Sequence, residues 1–327
     1  MTERMTEKAD LLAAVADDIF HHPRFGDPVL HYTQALLSWR NDERLVNKIS
    51  STHARSQIVG YLMLLHFEAA RDAATVGATY TNLWRLCERR KDCSPRVLKT
   101  VLAVLRVARM VTLTRAKSDK RLHVYQPTQR LIGFVQDWYS RTFGCFDIMN
   151  GKNFAARMRS EPNLLAEVIV AIGRPYIDHD IILVRQYPEI FHLFLIDLGF
   201  VAAASLTATH LRGEPPLSAH QIAKKYGSSP SQARNVLKWM RENDLIVCDD
   251  AGQVVDRAKI ALLFQLHVAR ELSLYAKYAL GLSGYFAFMR CRAAKAEMTC
   301  SVTEGEPPIS TTARLGHSRS PDEPIPV

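Results

Sequence analysis

The 327-residue chain is 47% hydrophobic and 23% charged, with a formal net charge of +9 and an isoelectric point near 9.3. It is long enough for two domains of ordinary size with a substantial core, and its basic excess favours a polyanionic partner, most often nucleic acid. The longest apolar stretches are broken within about ten residues, too short to span a bilayer. The start, Met1-Thr2-Glu3-Arg4, leads into no signal-peptide apolar run. The six cysteines (Cys87, Cys93, Cys145, Cys248, Cys291, Cys300) are scattered without zinc-ligand spacing. A reducing, cytoplasmic compartment is the expectation, in association with the nucleoid.

Helical periodicity dominates. In chain order the pattern predicts a helix over 9–20 (Leu11, Leu12, Val15, Ile19 and Phe20 on one face), another over 28–40, and a long apolar one over 54–75 carrying Ile58, Leu62, Leu65, Phe67 and Ala70. The tracts 79–89 and 94–108 read as two helices joined by a short polar turn. Residues 110–115 and Leu122 to Gln126 alternate like strands around a hydrophilic tip, 116–121, and a helix follows Pro127 to about Cys145. Asn150-Gly151 and Arg159-Ser160-Glu161-Pro162 punctuate the middle. The order then repeats: helices over 163–173 and 188–206, a turn at 213–216, paired helices over 218–226 and 229–243, and short strands Leu245 to Cys248 and Gln253 to Val255 around Asp249-Asp250-Ala251-Gly252. A long helix covers 257–280, with more helix to about Met298. Residues 301–327, rich in Pro, Ser, Thr and Gly, are expected to be disordered.

The predicted fold is mainly α: two winged helix-turn-helix units with short β wings on a helical scaffold. The boundaries are an N-terminal helical segment (1–54), a first unit (55–148), a connecting helical segment (149–187), a second unit (188–256), C-terminal helices of dimerisation type (257–299) and a tail (300–327).

The two units share a sequence. Ser94-Pro95-Arg96-Val97-Leu98-Lys99-Thr100-Val101-Leu102-Ala103-Val104-Leu105-Arg106 aligns without a gap with Ser229-Pro230-Ser231-Gln232-Ala233-Arg234-Asn235-Val236-Leu237-Lys238-Trp239-Met240-Arg241, at a constant offset of 135. The helices before and after each unit also correspond, which favours an internal duplication over coincidence. In the second copy Ser229 is placed to cap the helix, Pro230 fits the first helical position, and Gln232 is placed to close a capping box. Ala233, Val236, Leu237 and Met240 form its core stripe. Ser231, Gln232, Arg234, Asn235 and Lys238 are left outside as candidate DNA contacts, Gln and Asn suited to adenine edges and Arg to guanine. In the first copy Val97, Val101, Val104, Leu105 and Ala108 are the expected stripe, and Arg96, Lys99, Thr100 and Arg106 the candidate contacts. A lone helix of this kind is ordinarily a solvated surface helix; the preceding helix, turn and strand pair shift the reading to double-stranded DNA.

Charge divides the copies. From Arg89 to Arg121 there are eleven Lys/Arg against two acids, a local excess of +9. From Leu217 to Asp256 five bases meet five acids. Arg115, Lys117, Lys120 and Arg121 on the first wing are therefore expected to reach the backbone or minor groove, whereas Asp249 and Asp250 at the second tip would repel phosphates.

The layout over 55–145 and 188–280 resembles the MarR family of winged-helix regulators. Those proteins are usually homodimers whose subunits flank a winged helix-turn-helix with dimerisation helices; this chain is similar to such a dimer fused into one polypeptide. Asp119 and Arg121 have the spacing of the family's wing signature, in which the acid orients the arginine toward the minor groove; the second wing has no equivalent. The resemblance implies a monomeric pseudodimer or a homodimer, and a pocket for a small aromatic effector. Aromatic clusters at Tyr176, Tyr187, Phe191, Phe194 and Phe200, and at Tyr275, Tyr278, Tyr285, Phe286 and Phe288, are otherwise core packing.

No site of chemistry is expected. Asp178-His179-Asp180 and His21-His22 lack further metal ligands at useful spacing. Gly281-Leu282-Ser283-Gly284 lacks the strand and Lys of a phosphate loop, and no hydrolase or zinc-protease motif occurs. The expectation is a sequence-specific regulator of transcription without cofactor or metal and without enzymatic activity. The alternatives are a winged-helix protein-interaction module and a plasmid replication initiator.

Overall fold

The computed structural model describes residues 12–41, 52–72, 74–116, 119–181 and 183–286. Lys117, the helix expected beyond residue 286 and the tail expected to be disordered lie outside them. The protein is mainly helical, with two small antiparallel sheets of two strands each. Helices α1 (residues 12–20), α2 (Gly26–Asn41), α3 (His53–Arg71), α4 (Tyr80–Arg90) and α5 (Pro95–Val107) precede strands β1 (Val111–Arg115) and β2 (His123–Pro127). Then come α6 (Gln129–Asn150), α7 (Phe154–Ser160), α8 (Leu164–Asp178), a 3-10 turn (Leu183–Gln186), α9 (Pro188–Leu195) and α10 (Gly199–Leu211). The second paired helices are α11 (Ala219–Tyr226) and α12 (Pro230–Glu242), followed by β3 (Val247–Cys248), β4 (Val254–Asp256) and α13 (Ala258–Tyr278).

One continuous apolar core runs from Leu12 to Phe286 and includes side chains of both halves. Its axis is α10, buried over every residue from Gly199 to Thr209. Such a helix, apolar all round, has to be surrounded, and α2, α9, α12 and α13 do so. In the first half α3 lies against α4, α5 and α8, while α6 lies against α2 and α7.

Several predicted boundaries move, each for a tertiary or capping reason. The helix expected to reach residue 75 stops at Arg71, because the Asp72 carboxylate accepts from Ala74 N (2.9 Å) and Thr75 Oγ1 (3.1 Å), a local turn that competes with the helix. α6 continues past Cys145 to Asn150, where Gly151 closes it at φ 63°. α8 runs on through Pro175 to Asp178; Gly173 lets α3 approach, since a Cβ there would lie 2.9 Å from Leu64 Cδ1. α7 was not expected. Its first N–H groups are capped from outside the segment by the Asp147 carboxylate, on Phe154 N (2.6 Å) and Ala155 N (3.0 Å).

The single helix expected over 188–206 is two helices. Ile196 is extended and Leu198 takes φ 72°, a left-handed conformation that a continuing helix does not allow. The chain then presses Gly199 onto the end of α9: a Cβ there would sit 2.3 Å from Leu193 O and 2.7 Å from Ile196 Cγ1. Gly199→Ala should therefore destabilise the protein by about 2–3 kcal/mol, read as a lower denaturation midpoint in urea. An unchanged midpoint would refute the close approach.

Candidate nucleic-acid interface

All four helices of the two pairs start on a hydroxyl cap. Thr79 Oγ1 accepts from Asn82 N (3.1 Å), Ser94 Oγ from Val97 N (3.4 Å), Ser218 Oγ from Gln221 N (3.3 Å) and Ser229 Oγ from Gln232 N (3.1 Å). The closed capping box is at α11, where Gln221 Oε1 accepts from Ser218 N (2.8 Å), not at α12. The first helix of each pair ends on a left-handed residue, Lys91 (φ 54°) or Gly227 (φ 67°). Among the described residues five non-glycines take a left-handed φ, and two of them, Arg109 and Asp244, occupy equivalent places after the second helices at φ 55° each.

That equivalence extends along the whole second helix. α5 buries Leu98, Val101, Leu102 and Leu105; α12 buries Ala233, Val236, Leu237 and Met240, the same four positions at the offset of 135. The stripe expected for α5 is therefore corrected: Val97 is exposed and Val104 half-buried, with Leu98 and Leu102 in their place. With seven apolar residues spread over Val97–Leu105, sequence periodicity alone admits two rotations of this helix. Beyond each helix the hydrogen bonds repeat: Met110 N to Leu105 O matches Leu245 N to Met240 O, both 2.9 Å, and Arg109 N to Arg106 O (3.0 Å) matches Asp244 N to Arg241 O (3.1 Å). The carbonyls of Met110 and Leu245 then accept from the segment after each strand pair, from Thr128 N (2.9 Å) and Ile260 N (3.2 Å).

The outward positions follow from that packing. Arg96, Lys99, Thr100, Arg106, Arg115, Lys120 and Arg121 are exposed in the first unit, as are Ser231, Arg234, Asn235 and Lys238 in the second. Gln232 is the exception. It is half-buried, its Nε2 donates to Asp197 O (3.1 Å) and its Oε1 accepts from Ser228 Oγ (3.1 Å), so it ties α12 to the α9–α10 break and neither closes a capping box nor faces outward. Thr100 Oγ1 donates to Arg96 O (2.9 Å), and the Lys99 ammonium stands 5.8 Å from the centre of the Tyr80 ring. Lys238 faces Glu242 at 3.7 Å, an exposed pair of little energetic consequence.

The strand pairs differ. β1 and β2 form a five-residue ladder from Val111↔Pro127 to Arg115↔His123, extended by a bridge between Thr79 and Val124. At its tip Asp119 accepts from Arg121 N (2.9 Å), Nε (3.2 Å) and Nη2 (3.3 Å), which holds the Asp119 carboxyl below the usual carboxylate range and fixes the otherwise exposed guanidinium. β3 and β4 pair over Val247↔Asp256 and Cys248↔Val254 with a register shift. Asp249 there is a turn-former as well as a charge: its Oδ1 accepts from Gln253 N (2.8 Å), and Gly252 follows at φ 75°. Asp250 stays exposed.

One member of the basic segment is interior. Arg90 is 2% exposed and donates to Tyr176 O (2.8 Å) and Ile181 O (2.9 Å), with Asp180 at 3.3 Å and Asp92 at 3.6 Å. Asp92, in the turn between α4 and α5, also accepts from the Tyr61 hydroxyl and lies 3.6 Å from His53 Nε2. Burial keeps the Tyr61 phenol protonated, as a donor. Asp178, singled out in the sequence beside His179 and Asp180, faces Arg89 at 3.7 Å. Among the described residues no three His, Cys, Asp or Glu come together to hold a metal ion, and no helix is long and apolar enough to cross a membrane. The four described cysteines are free.

Behind this turn lies a feature that no motif announces. Tyr176, Phe194, Phe200 and Tyr275, from both aromatic clusters, line a cavity of about 270 Å³ together with His53 and His267, whose positions are 214 residues apart. Tyr187 and Phe191 are not in its wall, and Phe286 packs instead against Phe146. No family model, no curated protein and no solved structure matches this chain.

Burial, and after it His53, push the His267 pKa down to about 4. His267 Nε2 is 3.7 Å from Glu271, but burial raises the Glu271 carboxyl as well, so the uncharged pair is favoured. The unfolded chain takes the histidine proton near pH 6.5. The stabilisation is thus whole above that pH and is lost as pH falls toward 4, by roughly 3 kcal/mol in full. Glu271 acts in the opposite sense, so the comparison is with His267→Gln: melting temperatures of the wild type should fall more steeply than the variant's between pH 7 and 4.5. Parallel profiles would exclude a buried neutral histidine.

Proposed function

We propose that this protein regulates transcription by binding double-stranded DNA through two unequal reading helices, α5 and α12, carried on winged helix-turn-helix units duplicated within one MarR-like chain. The observation that carries this reading is the shared register of the two helices, in which the same four positions are buried and four matching pairs, Arg96 and Ser231, Lys99 and Arg234, Thr100 and Asn235, Arg106 and Arg241, are polar and exposed. The first unit supplies most of the phosphate affinity, through Arg96, Arg106 and the wing residues Arg115, Lys117, Lys120 and Arg121. Arg234 and Asn235 on the uncharged second unit contribute base discrimination. Two different helices in one chain favour an asymmetric site whose halves lie about one helical turn apart, and no second copy is required to complete it.

The second unit also has features of a protein-docking half. Its net charge over Leu217–Asp256 is zero, and Val247 and Val255 on its strands are 54% and 57% exposed. A selected binding site spanning only one half-site would favour that reading of the second unit.

Selection of duplexes from a random pool tests the proposal directly: an asymmetric consensus is expected, and a perfect inverted repeat would count against two unequal helices. Affinity for the selected duplex should fall steeply with salt, and Arg121→Ala should reduce the slope of log K against log salt by about one while weakening all duplexes alike. Arg234→Ala should instead cost about 1–3 kcal/mol on the preferred duplex and relax preference at one base position. Equal binding of every variant to every duplex, or none by the wild type at low salt, would defeat the proposal.

A further inference from the structure

The two reading helices share a register but not a chemistry. Positions i, i+4, i+7 and i+11 fall on one stripe of a helix. In α5 the outermost such stripe is Arg96, Thr100, Ala103 and Val107, all exposed. In α12 the matching stripe is Ser231, Asn235, Lys238 and Glu242, all exposed as well. Each of the four in α12 carries a side-chain donor or acceptor. α5 has one such group at its start, Arg96, and then loses them. Ala103 and Val107 have none, and the hydroxyl hydrogen of Thr100 is spent on Arg96 O at 2.9 Å. Val107 is 80% exposed, more than any other large apolar side chain among the described residues.

The surroundings of this apolar stripe say what covers it. Lys99 and Arg106, seven residues apart, run along its flank, and the strand pair that follows adds Arg115, Lys120 and Arg121, all exposed. An apolar protein surface would bring nothing to match those cations. A major groove has phosphates along both walls and, on its floor, a single kind of apolar group, the C5-methyl of thymine. Apolar side chains laid against the acceptors of guanine would desolvate them without a hydrogen bond in return.

We propose that α5 reads thymine through its methyl group, with Thr100 and Ala103 against the C5-methyls of neighbouring thymines, while α12 reads the other half-site by hydrogen bonds. Ala103 lies about 4.5 Å further along the helix than Thr100, close to the roughly 3.4 Å step from one base to the next. The flanking cations hold the phosphates on either side. This inference rests on the DNA-binding reading proposed above, to which it adds the base that the first unit selects.

The first test needs no variant. In the duplex selected by the full chain, thymines are expected in the half that α5 covers. Replacing each by deoxyuridine removes the methyl group alone and should weaken binding about fourfold per thymine; the same exchange in the other half should change nothing. Where cytosine is placed at one of those thymine positions, 5-methylcytosine should restore a similar factor. Thr100→Ser keeps the hydroxyl and removes the methyl. It should bind the thymine duplex about fourfold more weakly and lose the penalty for uracil at one position. Thr100→Val keeps a methyl and removes the hydroxyl, and it should bind as the wild type does, with that penalty intact. Thr100 is exposed, and Ser, Thr and Val have similar helix propensities, so both variants keep the fold, as circular dichroism would verify. Uracil tolerated at every position, equal penalties in the two halves, or a loss in Thr100→Val that matches the loss in Thr100→Ser overturns thymine reading and leaves the DNA-binding proposal standing. Binding of no duplex at all by the wild type overturns both.

Discussion

Four buried side chains on each second helix decide what that helix can offer to a partner. Leu98, Val101, Leu102 and Leu105 occupy one stripe of α5, and Ala233, Val236, Leu237 and Met240 occupy the matching stripe of α12. Helical geometry then sends the intervening positions outward. Turning α5 one way would drive Lys99 and Arg106 into the core, at a large desolvation cost; turning it the other way would exchange Leu98 and Leu102 for Val97 and Val104 and bury no charge, so packing against the rest of the core decides between those two. The polar face is thus set by the apolar one. Arg109 and Asp244, both left-handed, close each helix with the same backbone hydrogen bonds before the strand pair.

The two halves share this geometry and differ in how it is anchored. In the first, Arg90 reaches from the end of α4 to carbonyls in α8 and beyond it, and Asp92 gathers Arg90, Tyr61 and His53 around the turn. An interior charge pair of this kind tolerates burial only because several hydrogen bonds accompany it. In the second, Gly227 and Ser228 close the turn with backbone hydrogen bonds, and Gln232 ties α12 to Asp197 O. A basic segment that looks uniform as a sequence therefore splits into an exposed part and one interior anchor, and an outwardly polar helix loses one of its polar positions to a structural contact.

The sequence by itself determined the order and kind of nearly every described element, because hydroxyl caps, helical periodicity and strand alternation are local signals. Ser94-Pro95 and Ser229-Pro230 start their helices as read, and the ladder of β1 and β2 lies where alternation placed it. Only the tertiary structure decided the rest. It broke the apolar run at Leu198, since nothing local distinguishes one buried helix from two packed at a bend, and it capped α7 from Asp147 on another helix. It chose between the two rotations of α5 by the burial of Leu98 and Leu102. It also brought His53 and His267 to the wall of one cavity, a meeting of distant positions that local pattern cannot contain, because it arises only when α3 and α13 close around the same core.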